Sequence, residues 1–89
     1  MPQAIVDPEE LRDFARALKK FNTDLRERLG QLGNRLSALG STWRDQEHKK
    51  FCQQFEEHTK IIGRFLEVSD RHVPYLMRKA EQVDEYLQG

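Results

Sequence analysis

The chain has 89 residues, 37% hydrophobic and 34% charged, and fifteen Lys/Arg balance fifteen Asp/Glu. That length holds one small domain, and a neutral total lacks the basic excess that nucleic acid or an anionic membrane surface demands. Its one cysteine, Cys52, excludes an internal disulfide, and no stretch approaches the apolar length of a membrane span.

The N-terminal MPQAIVDPEE has neither the basic start nor the apolar core of a secretory signal. The protein is therefore expected to be cytoplasmic as synthesised, and any export to proceed without a cleavable signal peptide. The first helix is predicted over about 8–39. Asp7 suits the N-cap, Pro8 the first helical position and Glu10 the third, while Val6 and Leu11 take the positions of a hydrophobic staple. Leu11, Phe14, Leu18, Phe21 and Leu25 alternate steps of three and four, which places them on one face. Leu29, Leu32, Leu36 and Leu39 carry the stripe onward, shifted by one position because Arg28 and Arg35 take the strict heptad slots. Those arginines either pair with a partner's acids or snorkel outward on their aliphatic stems.

Gly40 is the natural left-handed C-cap, giving a turn over 40–42 in which Ser41 or Thr42 caps the next helix. With Thr42 as cap, Asp45 falls at the third position, near free N–H groups and the positive end of the dipole. So short a turn folds the second helix back antiparallel.

The second helix is predicted over about 43–87, with a seam of His48, Phe51, Phe55, His58, Ile62, Phe65, Ser69, His72, Leu76, Lys79, Val83 and Tyr86. Asp24–Arg28, Asp45–Lys49, Glu56–Lys60 and Glu67–Arg71 are i,i+4 pairs with the acid first. Pro74 keeps the phase of the seam, so it predicts a kink, with the Asp70 carbonyl losing its partner. Gly30, Gly33, Ser37 and Gly40 form a line of small residues expected to make room for Trp43, Phe51 and Phe55 across the hairpin.

Two such helices leave apolar surface over. Ile61, Leu66, Val73, Met77, Ala80 and Leu87 widen the band on the second helix, and small scaffolds need disulfides, metal or association to hold. The expected fold is all-α, an antiparallel helical hairpin dimerising into a four-helix bundle. At about 1.5 Å per residue the helices run roughly 48 and 65 Å, so the segment from Tyr75 to Tyr86 is expected to project past the open end and cover a partner. Trp43 at the tip is expected to dock there too, because its own two helices cover it poorly. The expected dimer interface is Trp43, Phe51, Phe55, Phe65, Tyr75, Leu76 and Tyr86.

Little chemistry is on offer. His48, His58 and His72 share the predicted seam at separations of ten and fourteen residues, too far apart for one metal. They either pack and hydrogen-bond at the seam edge or charge it on protonation near a pKa of about 6.5. His48 and Cys52 at i,i+4 form half a metal site that a dimer axis could complete, although cysteine is commonly a small buried residue. No glycine-rich loop or oxyanion arrangement accompanies Cys52, so no enzyme, no cofactor and no resident metal are expected. Nor does any face of either helix collect cations for a nucleic acid.

The Leu39-Gly40-Ser41-Thr42-Trp43 turn, Phe51 eight residues after the tryptophan and the hairpin length resemble the hundred-residue WXG (ESAT-like) family over almost the entire chain. These are small, signal-less helical hairpins named for a Trp-x-Gly turn. The resemblance implies homo- or heterodimeric four-helix bundles, exported by type VII secretion systems as substrates, export partners or adaptors. Trp43 matches the family tryptophan, and Asp45 stands where the family has glycine, giving Trp-Arg-Asp, so capping is expected to hold this turn. The family's export signal is a tyrosine followed four residues later by an acid. Here Tyr75 is followed by Lys79, and Tyr86 has no residue at that spacing. Two functions follow: an exported or export-partner hairpin that pairs with itself or a paralogous hairpin, and an intracellular dimerisation or adaptor module of the same fold. A metal- or pH-responsive regulator built on the histidines is the third.

Overall fold

Leu, Ala, Arg, Lys and Glu dominate both long segments, and these are strong helix formers. In a computed structural model, which describes residues 6–88, they form α1 (Pro8–Leu39) and α2 (Gln46–Gln88), with no strand among the described residues. The start of α1 follows its caps. Asp7 is extended at φ −84 and ψ 121, and its Oδ1 accepts the Glu9 N–H at 2.9 Å. Its carbonyl takes the Leu11 N–H at 3.1 Å.

The turn departs from expectation. Gly40 is right-handed at φ −60 and ψ −17, and no described glycine has positive φ. Space there is tight instead: a Cβ would lie 3.1 Å from the Ser37 carbonyl oxygen and 3.3 Å from His48 Cε1. The Ser41 and Thr42 hydroxyls donate back to the Ala38 and Leu39 carbonyls at 3.0 and 3.4 Å, closing α1 rather than opening α2. Asp45 caps the second helix, its Oδ1 accepting the His48 N–H at 3.1 Å. The turn therefore covers 40–45 instead of 40–42, and α2 begins at Gln46 rather than at position 43.

Half of each predicted seam lies elsewhere. The packed columns are Leu11, Leu18 and Leu25 beside Ala15, Asn22, Leu29 and Leu36 on α1. On α2, His48, Phe55, Ile62, Ser69, Leu76 and Val83 run beside Cys52, Thr59, Leu66, Val73 and Ala80. Phe14, Phe21, Phe51 and Phe65, predicted inside, are 58%, 44%, 50% and 54% exposed. His58, His72, Lys79, Arg28 and Arg35 are exposed as well, leaving His48 as the half-buried histidine. Each outward residue immediately precedes an inward one, and a step of one residue turns a side chain by about 100°. Small inner residues let the helices approach closely: Ala15 and Ala80 are fully covered.

One buried polar contact pins the register. Ser69 Oγ donates to Asn22 Oδ1 at 2.8 Å, and Asn22 Nδ2 donates to Asp70 Oδ1 at 3.0 Å. No buried side-chain nitrogen or oxygen among the described residues lacks a partner.

The expected projection of Tyr75 to Tyr86 does not occur. Leu76 and Val83 are half-buried, Ala80 is fully buried and Asp84 pairs with Arg12, so this segment lies along α1. α2 passes through Pro74 as one element, although proline supplies no N–H for the Asp70 carbonyl. The resulting rod measures 68 × 16 × 15 Å, one helix pair thick.

Candidate functional site

The hairpin has two unlike edges. Along one, charges are paired across the helices. Arg26 Nη2 lies 2.5 Å from Asp70 Oδ2, and Arg12 bridges Asp84 and its neighbour Glu9. The Arg26 guanidinium holds Asp70 below the usual carboxylate range, with the Asn22 amide acting in the same direction against some desolvation. The carboxylates in turn raise Arg12 and Arg26. A groove of about 450 Å³ runs beside this ladder, lined by Gly30, Gly33 and Gly63 with Leu29, Phe55, Thr59 and Leu66, and rimmed by Arg26 and Glu56. Only part of the small-residue line works as expected. Gly33 faces Phe55 at 3.7 Å, whereas a Cβ on Gly30 or Gly63 would meet nothing. Phe51 instead stands across from Leu32 and Leu39, on the other edge.

That other edge is aromatic. Phe14 and Phe21 are followed at heptad spacing by Arg28 and Arg35, and Phe51 by His58, Phe65, His72, Lys79 and Tyr86. In an antiparallel pair of right-handed helices, the same angular step from the seam leads to the same side, so both stripes share one face. Leu32, Leu39 and Phe51 accordingly line a single groove of about 500 Å³ with Arg35, Leu36 and Phe55. A second hollow is lined by Phe21, Asp24, Leu25 and Arg28. Ile61, Val68 and Tyr75 extend the exposed apolar surface along α2.

Trp43 sits where this stripe reaches the tip. Its backbone N–H bonds the Leu39 carbonyl at 2.7 Å, and its ring centroid lies 4.9 Å from His48 and 6.2 Å from Phe51. It is half-buried by its own hairpin, contrary to the expectation that the hairpin covers it poorly. Of the other predicted interface residues, Phe51, Phe65, Tyr75 and Tyr86 are exposed, while Phe55 and Leu76 are half-buried between the two helices.

His48 and Cys52 do meet. His48 Nε2 lies 3.4 Å from Cys52 Sγ and 3.4 Å from the Leu36 carbonyl oxygen, a contact internal to the hairpin. Among the described residues no group of three or more His, Cys, Asp or Glu is placed to hold a metal ion. No described helix is long and apolar enough to cross a membrane.

A match to a known family covers these same elements. The family described as proteins of 100 residues with WXG matches residues 3–86, which takes in both helices and the turn. The chain belongs to the WXG100 family. No curated protein and no solved structure matches it. In this WXG100 chain the turn tryptophan packs at a tilt against the start of α2, and Asp45, in the glycine slot of the motif, is the residue that caps that helix.

Sequence reasoning missed the polar ladder of this WXG100 hairpin: Asn22, Ser69 and Asp70, with Arg26, Arg12 and Asp84. The signal available was Asn22 on a heptad column of leucines, a residue that costs stability inside unless it has a partner. Three of the four local pairings also differ: Asp24 takes Lys20 at 2.8 Å rather than Arg28, Asp45 is used as a cap, and Glu67 and Arg71 do not pair, while Glu56–Lys60 stands at 3.9 Å.

Proposed function

We propose that this WXG100 hairpin pairs through its aromatic edge with a second hairpin to form a four-helix bundle, and that the pair is a type VII secretion substrate or export partner. The observation that carries the reading is the contrast between the edges: one carries the ion pairs across the helices, the other presents Phe14, Phe21, Phe51 and Phe65 to solvent. The area supports it. The chain exposes 7377 Å², whereas a compact monomer of its mass exposes about 5,500 Å². The surplus, roughly 1,900 Å² per copy, is of the size that stable and obligate interfaces bury. Trp43 and Phe51, neighbours at the tip, would form one end of the interface.

Sedimentation at high ionic strength, where charges on the face are screened, tests the pairing. The chain is expected to associate toward twice its 10.6 kDa mass. Phe21→Asp with Phe65→Asp is expected to abolish association while leaving helicity intact, since both rings are solvent-exposed within one copy. A cooperatively melting monomer at high protein concentration and high salt refutes the reading. The second reading, an adaptor retained in the cell, is favoured by Lys79 standing four residues after Tyr75, where the family signal has an acid. Under that reading Lys79→Glu is expected to gain secretion in a host carrying a type VII system; secretion of the unaltered chain argues for export.

A further inference from the structure

The groove near the tip joins one cation to an otherwise apolar lining. Leu36 and Phe55 form its floor, half-exposed Leu32, Leu39 and Phe51 its walls, and Arg35 its single charged residue, around a volume of about 500 Å³. Among the described residues no acid lies within ion-pairing distance of Arg35. Its neighbours one turn away on α1, Gln31, Leu32, Ala38 and Leu39, are uncharged. The groove on the opposite edge differs, because its rim charges are already engaged, Arg26 by Asp70 and Glu56 by Lys60.

We infer that this groove binds one free fatty carboxylate, its head on Arg35 and its chain along Leu32, Leu39 and Phe51. The volume and the lining suit such a ligand, since small-molecule sites are mostly apolar with a few placed polar groups. A guanidinium bonds a carboxylate through two parallel N–H groups. One cation matches one negative charge, whereas a phosphate monoester carries nearly two and meets no second cation in the lining. A groove of this size takes a single chain rather than a bilayer, and the balanced total charge gives no attraction to an anionic membrane. Binding there does not depend on the pairing proposed above, although a second hairpin on the aromatic edge would cover the groove through Leu32, Leu39 and Phe51.

Titration calorimetry with dodecanoate below its micelle concentration tests the site. It is run on the unaltered chain and on the Phe21→Asp, Phe65→Asp variant, whose changes lie outside the groove. Saturable binding of one dodecanoate per chain is expected, with a change in the fluorescence of Trp43, the chain's single tryptophan, whose ring lies 6.2 Å from Phe51. Shortening the ligand to decanoate should weaken binding about fourfold, the loss of two half-covered methylenes. Arg35→Gln should weaken dodecanoate about threefold, as for an exposed ion pair, and leave decanol unchanged. Leu32→Asp, at an exposed position, should weaken both ligands with helicity by circular dichroism unaltered. Binding by the double phenylalanine variant alone sustains the site and shows that pairing covers it. Absence of saturable binding by both chains overturns the inference and leaves the pairing reading untouched. Equal effects of Arg35→Gln on acid and alcohol also overturn it, as does uptake of several molecules per chain with loss of cooperative melting. Binding to phosphatidylserine vesicles without binding of the free acid assigns the groove to a membrane surface and overturns it as well.

Discussion

The contact between Asn22 and Ser69 offers the sharpest test of how the hairpin is held in register. Asn22 is 1% and Ser69 4% exposed, and their 2.8 Å bond joins columns that are otherwise mostly apolar. Truncating Asn22 to alanine removes this bond and the 3.0 Å bond to Asp70, and leaves a small cavity between the helices. A buried hydroxyl left without its partner costs about 1–3 kcal/mol, although serine in a helix recovers part of this by bonding a carbonyl one turn back. Asn22→Ala is therefore expected to destabilise by about 2–3 kcal/mol. Ser69→Ala, which leaves Asn22 its bond to Asp70, should cost about 1 kcal/mol. The double variant should cost less than the two together, because once one partner is gone the other contributes little. Urea denaturation of all four proteins at one protomer concentration gives the coupling, expected near 1 kcal/mol. A coupling within about 0.3 kcal/mol of zero would mean the two side chains act independently, and the assignment of register to this contact would be wrong.

Two further expectations follow from the edges and the turn. Asp70 is more acidic in the folded chain than in the unfolded one, chiefly through its bond to Arg26. Its contribution is fully present above the ordinary aspartate pKa near 4 and is lost as pH falls through the lower folded value. Asp70→Asn should then destabilise at pH 7, the gap to the unaltered chain narrowing below about pH 4 in thermal melts; a gap independent of pH refutes the role given to the ion pair. Gly40→Ala should destabilise by about 1–2 kcal/mol, because its Cβ would press on His48 Cε1 and the Ser37 carbonyl oxygen. The same substitution at Gly30, where a Cβ meets nothing, should stabilise by up to about 1 kcal/mol. If both changes have one sign, glycine at 40 is not there for space.

Helix content, helix order and antiparallel folding were legible because they depend on local rules. Asp7 and Pro8 cap α1 as read, α1 ends at Leu39 as read, and the helical period runs unbroken to Gln88. Placing the seam failed by one column on each helix. Aromatic rings dominate any reading by hydrophobicity, which draws Phe14, Phe21, Phe51 and Phe65 inside and gives no weight to Ala15, Asn22, Cys52 and Thr59. Evidence against that choice was already in the same columns, where Arg28, Arg35 and Lys79 occupied supposed core positions. The turn failed for a related reason. Three hydroxyl or carboxylate caps compete within Ser41 to Asp45, and only the folded geometry shows Ser41 and Thr42 spent on α1.

The amino-acid order alone settled that this chain makes two long helices joined by a short turn, since propensity, capping and period are properties of neighbours in sequence. It also carried the WXG100 pattern around Trp43. Which of two adjacent heptad columns faces the other helix was decided only in three dimensions. Close approach of the helices favours small residues between them, and the large rings are displaced to an exposed edge.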